Sequence, residues 1–363
     1  MRGGVICWGN GQFINGSYGV FPSPVWINGW GPGSGVTSLC AGHSHNCLIK
    51  EGKVYCWGAN SQFQSGQPSI VYVPTLVSGI SANVSRISCG AYHTCVVLID
   101  QTARCWGSNV IGELGIGSTS PSKAATPQPV FAFNDVVDIV AGFYATCAVR
   151  LVSSEKETWC WGHNTYGQLG LGNTTSPMTQ AARVNPDYPQ SLVSLPTGGY
   201  YAFCGIANHN GGAAYCSGRG AGGHLGNGDD NNRNTLTPVA GLGSNVHQMS
   251  MSVASSRACA VTKDGSAFCW GQFTSSFACC LGNGESSTTA MTPQRVDEYG
   301  PQNFIQVAVG YYTVCAVRWV NIAKNNYGVW CWGDNIYGGI GSPYVQVGDA
   351  PVTFPYIQID FPD

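Results

Sequence analysis

Residues 89–115 read CGAYHTCVVLIDQTARCWGSNVIGELG, and this stretch contains most of a unit that recurs along the chain. A short apolar strand ends at Cys89-Gly90, and a second strand opens at Cys95. After a polar turn, a third strand ends in Cys105-Trp106-Gly107 and leads into a Gly-rich loop. Short strands separated by turn residues predict an antiparallel meander.

The tripeptide Cys-Trp-Gly marks the repeat. Its copies begin at Cys7, Cys56, Cys105, Cys160, Cys269 and Cys331, and a degenerate copy reads Cys216-Ser217-Gly218. The copies are 49 to 62 residues apart. A β-type repeat of about 40–50 residues indicates propeller blades, because one blade cannot bury both of its faces alone. Trp at the same place in six of the seven units predicts a packing wedge between neighbouring blades.

The composition narrows the function classes. Charged residues make up 9% of the 363 residues and the formal net charge is −2. Nucleic acids and anionic membranes both attract basic surfaces, so neither is a predicted partner. The chain has no run of about 18 apolar residues, which predicts no membrane insertion. Its first residues, Met1-Arg-Gly-Gly-Val5, do not resemble a secretory signal.

The unit resembles the regulator-of-chromosome-condensation repeat, in which an Ala-Gly-x-x-His-Thr segment is followed by Trp-Gly and then by Gly-Gln-Leu-Gly. The matching residues here are Cys89–Val97, Trp106-Gly107 and Gly112-Glu113-Leu114-Gly115. The resemblance extends over residues 5–341. It implies an all-β, seven-bladed propeller of four-stranded antiparallel blades, closed by N- and C-terminal strands. We expect one domain over residues 1–363.

The first unit is incomplete. It starts at its third strand, Val5-Ile6-Cys7, and has no recognisable Cys-opening strand. We expect either a segment upstream of residue 1 or a shortened first blade. Residues 352–359 are expected to supply closing strand material.

Twelve of the 17 cysteines form pairs within a repeat, in which one opens the second strand and the other ends the third. The pairs are Cys47/Cys56, Cys95/Cys105, Cys147/Cys160, Cys204/Cys216, Cys259/Cys269 and Cys315/Cys331. Adjacent antiparallel strands would bring each pair within disulfide reach. The spacing lacks the close Cys-x-x-Cys pattern of a zinc site, and we predict neither a metal site nor a cofactor. Disulfides persist in oxidising compartments, which predicts a secreted, extracellular protein.

The other cysteines leave alternatives open. Cys40 and Cys89 end the first strands of consecutive units and are candidates for a bridge between blades. The expected partner of Cys7 lies upstream of Met1. Cys279 and Cys280 are compatible with a vicinal disulfide, a bridge to Cys7 or another chain, or two free thiols. Sequons at Asn15, Asn83 and Asn173 predict a glycoprotein.

The turn between the first and second strands carries the candidate binding residues. They are His43, Tyr92, Phe143, Tyr144, Tyr200, Tyr201, Tyr311 and Tyr312. Repeat symmetry places them on one face near the axis, where rigid aromatic side chains suit a protein interface or stacking on sugars. The alternative is packing on neighbouring blades. One unit has Ala254-Ser255-Ser256-Arg257 instead, so the ring is expected to open there.

These observations favour a non-enzymatic extracellular binding propeller with a protein or glycan partner. An alternative is a structural subunit that assembles with copies of itself in a sheath, wall or filament. A propeller lyase or glycosidase is disfavoured, because no repeat turn carries the carboxylates that such chemistry needs. The recurring His45 and His93 are expected to be structural hydrogen-bonding residues.

Overall fold

The structure is a computed structural model. It describes residues 3–14, 17–80, 82–184, 192–207, 211–272, 281–283, 287–296, 303–321, 326–335, 339–341 and 352–358.

The described residues form six blades, each a four-stranded antiparallel meander. Their strands are β3 Val36–Ala41, β4 His45–Lys50, β5 Lys53–Gly58, β6 Val71–Leu76; β7 Val84–Cys89, β8 His93–Leu98, β9 Ala103–Ser108, β10 Lys123–Pro129; β11 Val136–Ala141, β12 Ala145–Val152, β13 Glu155–Gly162, β14 Met178–Arg183; β15 Leu192–Gly198, β16 Ala202–Ala207, β17 Ala213–Gly218, β18 Arg233–Pro238; β19 Val246–Met251, β20 Arg257–Thr262, β21 Ala267–Gln272, β22 Thr289–Arg295; and β23 Phe304–Val309, β24 Thr313–Asn321, β25 Asn326–Gly333, β26 Val352–Gln358. The first strand of each later blade packs on the first strand of the blade before it. The first strands are therefore innermost.

The prediction of seven four-stranded blades is wrong. In the described ranges, the first unit is a two-stranded sheet of β1 (Ile6–Ile14) and β2 (Ser17–Trp26). These strands correspond to the third and fourth strands of a blade, since β1 carries Cys7-Trp8-Gly9. The expected closure is also wrong, because β26 pairs with β25 of the sixth blade rather than with β1 or β2.

The two-stranded sheet lies between the sixth and first blades. Strand β1 packs on β5 and β6 of the first blade. On its other side, the Trp8 indole nitrogen donates a hydrogen bond of 2.9 Å to the carbonyl oxygen of Gly339. The two described strands of this unit are thus held in the ring between the sixth and first blades. Within the part of the chain that is described, no helix could cross a membrane.

Six disulfides join the second and third strands of the six blades. They are Cys47–Cys56, Cys95–Cys105, Cys147–Cys160, Cys204–Cys216, Cys259–Cys269 and Cys315–Cys331. Their Cα atoms are 4.1 or 4.2 Å apart, close to the separation at a non-hydrogen-bonded antiparallel pair.

A seventh disulfide, Cys40–Cys89, links β3 of the first blade to β7 of the second. The next interface makes a hydrogen bond at the equivalent place, where the amide of Ala141 donates to the Ser88 hydroxyl over 2.9 Å. The position that holds Cys40 in the first blade holds Ser88 in the second, since each faces the second-strand cysteine of its own blade. The disulfide is therefore the covalent counterpart of a hydrogen bond between blades.

A buried polar network joins neighbouring blades around Trp106 and Trp161. The Trp106 indole and the Thr94 hydroxyl both donate to the carbonyl oxygen of Gln64, over 3.1 and 2.9 Å. His45 Nε2 lies 2.8 Å from the Thr94 hydroxyl. Because that hydroxyl donates its proton to Gln64, His45 Nε2 is the donor. The next interface repeats the network with His93, Thr146, Glu113 and Trp161.

Both histidines are structural, as the sequence predicted. Complete burial lowers the pKa of His45 and of His93 to about 3, so both rings are neutral at physiological pH.

Candidate functional site

Tight glycine turns bring the candidate binding residues together. The Gly42 amide donates to the carbonyl of His45 over 2.8 Å, and Gly90 does the same to His93 over 2.9 Å. A Cβ atom on Gly42 would collide with the Gly90 carbonyl, and one on Gly90 with that of Gly142. Neighbouring turns therefore pack backbone against backbone, and the aromatic residues that follow each glycine are forced into contact.

These residues form a continuous surface, here called the aromatic arc: His43, Tyr92, Phe143, Tyr144, Tyr200, Tyr201, Tyr311 and Tyr312. Ring centroids are 6.4 Å apart for Tyr311 and His43, and 6.0 Å for His43 and Tyr92. Tyr92 then lies 5.6 Å from Phe143, which lies 4.8 Å from Tyr200. The arc thus runs from the sixth blade through the first, second and third to the fourth.

The arc combines mutual packing with solvent access. Tyr311 is 43% exposed and His43 is also exposed. Tyr92, Phe143 and Tyr200 are half-buried. Edge-to-face contacts such as that of Phe143 with Tyr144, at 4.6 Å, hold the rings in defined orientations. The rings therefore pack on neighbouring blades and also leave part of their surface exposed to solvent.

Three residues that sequence reasoning missed extend the arc. His163 and Tyr166 lie 5.1 and 5.2 Å from the Tyr201 ring, measured between centroids. The Arg219 guanidinium lies 5.8 Å from the Tyr166 ring and 5.9 Å from the Tyr200 ring, in cation–π range. Arg219 adds a positively charged side chain to this group of aromatic residues.

A sequence signal for two of these residues existed. The residue directly after the third-strand Trp-Gly or Ser-Gly donates a backbone hydrogen bond to a carbonyl oxygen in the turn between the first and second strands. His163 donates to Tyr144, and Arg219 to Tyr201, each over 2.9 Å. That position therefore always lies on the face of the arc.

Burial shifts the pKa of three side chains in and beside the arc. Burial, with smaller contributions from Tyr200, raises the pKa of Tyr201 to about 12. Burial also raises the pKa of Tyr144 and lowers that of His163. The phenols of Tyr144 and Tyr201 are therefore protonated at physiological pH and can donate hydrogen bonds.

A buried carboxyl group lies beneath the arc. Glu113 occupies the position that holds Gln64 and Gln168 in the neighbouring units and is fully buried. One of its oxygens accepts from the Ser108 hydroxyl and the other from the Ile111 amide, over 2.8 Å for the amide. Burial raises the pKa of Glu113. The group is enclosed by its own loop rather than presented to a ligand.

The fifth blade interrupts the arc, as Ala254-Ser255-Ser256-Arg257 predicted. Arg257 takes the position of His45 and is fully buried. The series of aromatic turns around the axis is therefore open at the fifth blade.

The sequence also singled out three glycosylation sequons and three further cysteines. Asn83 and Asn173 are exposed, and Asn15 lies outside the described residues. Cys279 and Cys280 also lie outside them. Cys7 is a free, half-buried thiol whose pKa burial raises to about 11.

Comparisons with known proteins agree with this architecture. The family model of the regulator of chromosome condensation (RCC1) repeat matches residues 51–97 and 157–205. The chain is 27% identical over 352 residues to the ultraviolet-B receptor UVR8 of Arabidopsis thaliana, covering 94% of this chain and 76% of that protein.

Solved structures show the same fold. Human WBSCR16 superposes with a TM-score of 0.77 at 18% identity, covering 100% of this chain and 95% of that one. Yeast RCC1 (Prp20), in a crystal structure bound to Kap60, gives 0.77 at 16% identity, covering 99% and 84%.

Blades stacked through recurrent tryptophans, with an aromatic face at the innermost turns, define a β-propeller. The matched repeats and the alignment over 94% of the chain support a propeller similar to those of the RCC1 repeat type, here with disulfide-bonded blades.

Proposed function

We propose that this propeller is a non-enzymatic extracellular recognition module and that the aromatic arc binds its protein or glycan partner. The observation that carries the proposal is the continuity of the arc across five blades, from Tyr311 to Tyr201. Aromatic side chains are enriched at the energetic centres of interfaces, because they bury large areas at low entropic cost.

The chemistry of the arc supports binding rather than catalysis. The phenols of Tyr144 and Tyr201 are protonated at physiological pH, and the nearby carboxyl of Glu113 is enclosed by Ser108 and its own loop. Tyr201 has a φ of 60°, in the left-handed region that favours glycine. A large aromatic residue in that conformation is consistent with selection for its side chain at a surface.

The test compares arc variants with a matched aromatic outside the arc. Tyr92→Ala and Tyr200→Ala each remove a half-buried ring of the arc, whereas Phe131→Ala removes a ring that is 54% exposed elsewhere. Binding is measured against recombinant receptor ectodomains and arrays of defined oligosaccharides. For a ligand of the wild-type protein, we expect the arc variants to lose about 10- to 100-fold in affinity and the control to lose none.

The folded state of each variant is checked by its thermal unfolding and its disulfide content. Binding that survives in both arc variants, or that falls equally in the control, would refute the assignment. A ligand whose bound form needs the opposite face would do the same.

The disulfides support the extracellular part of the proposal. Seven are present among the described cysteines, and such bonds persist in oxidising compartments. Exposed Asn83 and Asn173 are accessible to glycosylation.

Expression behind a secretion leader in eukaryotic cells tests this part. We expect soluble secreted protein whose electrophoretic mobility shifts on treatment with peptide-N-glycosidase F. Asn83→Gln and Asn173→Gln should each remove one step of the shift. Retention in the cell as a misfolded species, or reduced thiols at Cys95 and Cys105 in the native protein, would contradict the compartment.

A further inference from the structure

A cavity of about 290 Å³ lies between the fifth and sixth blades. Its fifth-blade wall contains Lys263 and Asp264 in the turn from β20 to β21, and His247 in β19. Its sixth-blade wall contains Asn303, directly before β23, and Trp319 in β24. Volumes of roughly 300 Å³ are at the lower end of small-molecule sites, so the cavity suits a ligand of one or two rings.

The cavity opens on the face of the disc opposite the aromatic arc. Strand β20 begins at Arg257, in the turn that interrupts the arc, and ends at Thr262, which lines the cavity. Its six residues place these two ends about 17 Å apart. The side chains of His247, Lys263 and Asp264 are exposed, so the cavity can be reached from solvent. A ligand in the cavity is therefore separate from a ligand on the arc.

Backbone hydrogen bonds across the blade interface hold the two walls together. The amides of Asn303 and Phe304 donate to the carbonyl oxygen of Gly265 over 3.2 and 3.0 Å. The Trp319 amide in turn donates to the carbonyl oxygen of Asn303 over 3.1 Å. A Cβ atom on Gly265 would lie 2.8 Å from the Asn303 nitrogen, so the turn packs directly on the sixth blade. The cavity is therefore formed before a ligand binds, which lowers the entropic cost of binding.

An indole ring lines the sixth-blade side of the cavity. Trp319 packs on Tyr327, its cross-strand neighbour, with ring centroids 4.0 Å apart and an angle of 32° between the planes. Cross-strand aromatic pairs stabilise each other's orientation. The second, third and fifth blades have Ile99, Leu151 and Lys263 at the position of Trp319, since each donates its amide to the residue before its first strand. The aromatic wall is therefore a feature of the sixth blade and not of the repeat.

The hairpin that carries this pair is the longest of the six disulfide-linked hairpins. The sequence separation of Cys315 and Cys331 is 16, against 9 to 13 for the corresponding disulfides of the other blades. Its two strands stay paired as far as Asn321 and Asn326. Because Tyr327 is 47% exposed, the extra length presents aromatic surface beside the cavity instead of adding to the core.

The polar groups of the cavity suit hydroxyl groups. Asp264 Oδ1 accepts hydrogen bonds from the Thr262 hydroxyl and the Ser266 amide, and these bonds lower the pKa of Asp264. Its carboxylate is therefore ionised at neutral pH, and Oδ2 can accept from a ligand hydroxyl. The side-chain amide of Asn303 can both donate and accept. Lys263 lies next to Asp264 in the chain and offsets its charge, which favours a neutral ligand over an ion.

We propose that this cavity binds a neutral pyranose sugar, either free or at the end of a longer glycan. The C–H face of the sugar lies against the Trp319 indole, and its hydroxyl groups bond to Asp264 and Asn303. A sugar ring combines an apolar face with polar edges, and the cavity offers both. A flat aromatic ligand would use the indole alone, and an anion would face the Asp264 carboxylate. The site does not depend on the function proposed for the arc.

The test follows tryptophan indole signals in ¹H–¹⁵N spectra of the deuterated, ¹⁵N-labelled protein during titration. The neutral probes are methyl pyranosides of glucose, galactose, mannose, xylose and N-acetylglucosamine, and the disaccharides cellobiose, lactose and diacetylchitobiose. The signal that is missing from the Trp319→Leu spectrum identifies the Trp319 indole among the 11 tryptophans. We expect that signal to shift saturably with at least one neutral probe at millimolar concentration, and not with p-cresol or acetate. Binding of a methyl pyranoside would identify a free sugar as sufficient, and binding of disaccharides alone would identify the end of a longer glycan.

Variants assign the binding to the cavity. Trp319→Leu introduces the residue that the third blade has at this position, Leu151, so the fold should be retained. Its affinity for the sugar, measured by saturation-transfer NMR, should fall at least about tenfold. Asp264→Asn keeps the acceptor within the turn but removes the charge, and should weaken binding about tenfold. The matched control Tyr72→Leu replaces a ring that is 42% exposed in the first blade, and should bind as the wild type does.

Three outcomes would overturn the proposal. They are no saturable shift with any neutral probe up to tens of millimolar, equal affinities of Trp319→Leu and the wild type, and a larger shift with p-cresol or acetate than with the sugars. Tyr92→Ala, which alters the arc, should leave sugar binding in the cavity unchanged. Failure of this proposal and failure of the arc assignment are thus distinguishable.

Discussion

The disulfide between the first and second blades offers a quantitative test of how the blades are joined. Cys40–Cys89 closes a loop with a sequence separation of 49, against 9 to 16 for the bonds within blades. The double substitution Cys40→Ser with Cys89→Ala opens it. The same change places Ser at position 40 and Ala at position 89, as Ser88 and Ala141 stand at the next interface.

The chain-entropy model gives the size of the effect. Closing a loop of about 50 residues stabilises the folded state by about 4 kcal/mol, because it restricts the unfolded chain. The new hydroxyl at position 40 is placed to accept from the amide at position 89, which restores about 1 kcal/mol. We therefore expect a net loss of about 3 kcal/mol.

The assay is guanidinium unfolding in non-reducing buffer, after mass spectrometry has verified the other disulfides. The matched control is Cys40→Ala with Cys89→Ala, which cannot form the hydrogen bond and should lose about 1 kcal/mol more. Ser88→Ala should show the same loss of about 1 kcal/mol at the next interface. A double variant with Ser at position 40 that loses less than about 1 kcal/mol would refute the entropic reasoning, and two equally stable double variants would refute the hydrogen-bond analogy.

Three further predictions concern the blade interfaces. Histidine takes up a proton near pH 6.5 in the unfolded chain, whereas the pKa of His93 in the folded protein is about 3. The contribution of His93 to the free energy of unfolding should therefore fall by about 1.4 kcal/mol per pH unit below 6.5. When urea unfolding is measured from pH 7 to 4.5, the stability of His93→Asn should fall less steeply than that of the wild type. Glu113→Gln removes a buried charge whose position holds Gln elsewhere, and should raise the melting temperature at pH 7; an unchanged or lower value at pH 7 would contradict this. Gly115→Ala places a Cβ atom 2.7 Å from the Trp161 indole nitrogen at a φ of 69°, and should cost about 2–4 kcal/mol by denaturant unfolding. The control Gly172→Ala, with open space at a φ of 79°, should cost about 1 kcal/mol, and equal costs would argue against the wedge.

Much of the architecture could be predicted because the repeat is local. A second strand that opens at Cys95 and a third that ends at Cys105 are joined by a short turn, so their register follows from the sequence. The blade count failed for a related reason. Seven Cys-Trp-Gly or Cys-Ser-Gly copies count third strands, and among the described residues the sheet of Cys7 contains only the third and fourth strands of a blade.

The candidate site could be predicted only in part. Repeat symmetry placed residues such as Tyr92 and Phe143 on one face, since each follows the glycine of its turn. His163 and Arg219 escaped notice because their position varies in chemistry, with Ala59 and Ser108 in other units. Their contacts with the arc depend on side-chain reach across a blade interface, which a repeat alignment does not contain. The binding role of the arc stays a prediction.

The break in the arc at the fifth blade makes this face asymmetric around the propeller axis, so that rotated positions of a ligand on it are not equivalent. A ring of equivalent aromatic turns would let a ligand settle in several equal poses around the axis. With Ala254 and Ser255 on one side and Arg219 beside Tyr200 on the other, each pose meets a different surface. If the arc binds a partner as proposed, this asymmetry predicts one partner molecule per chain in a single orientation.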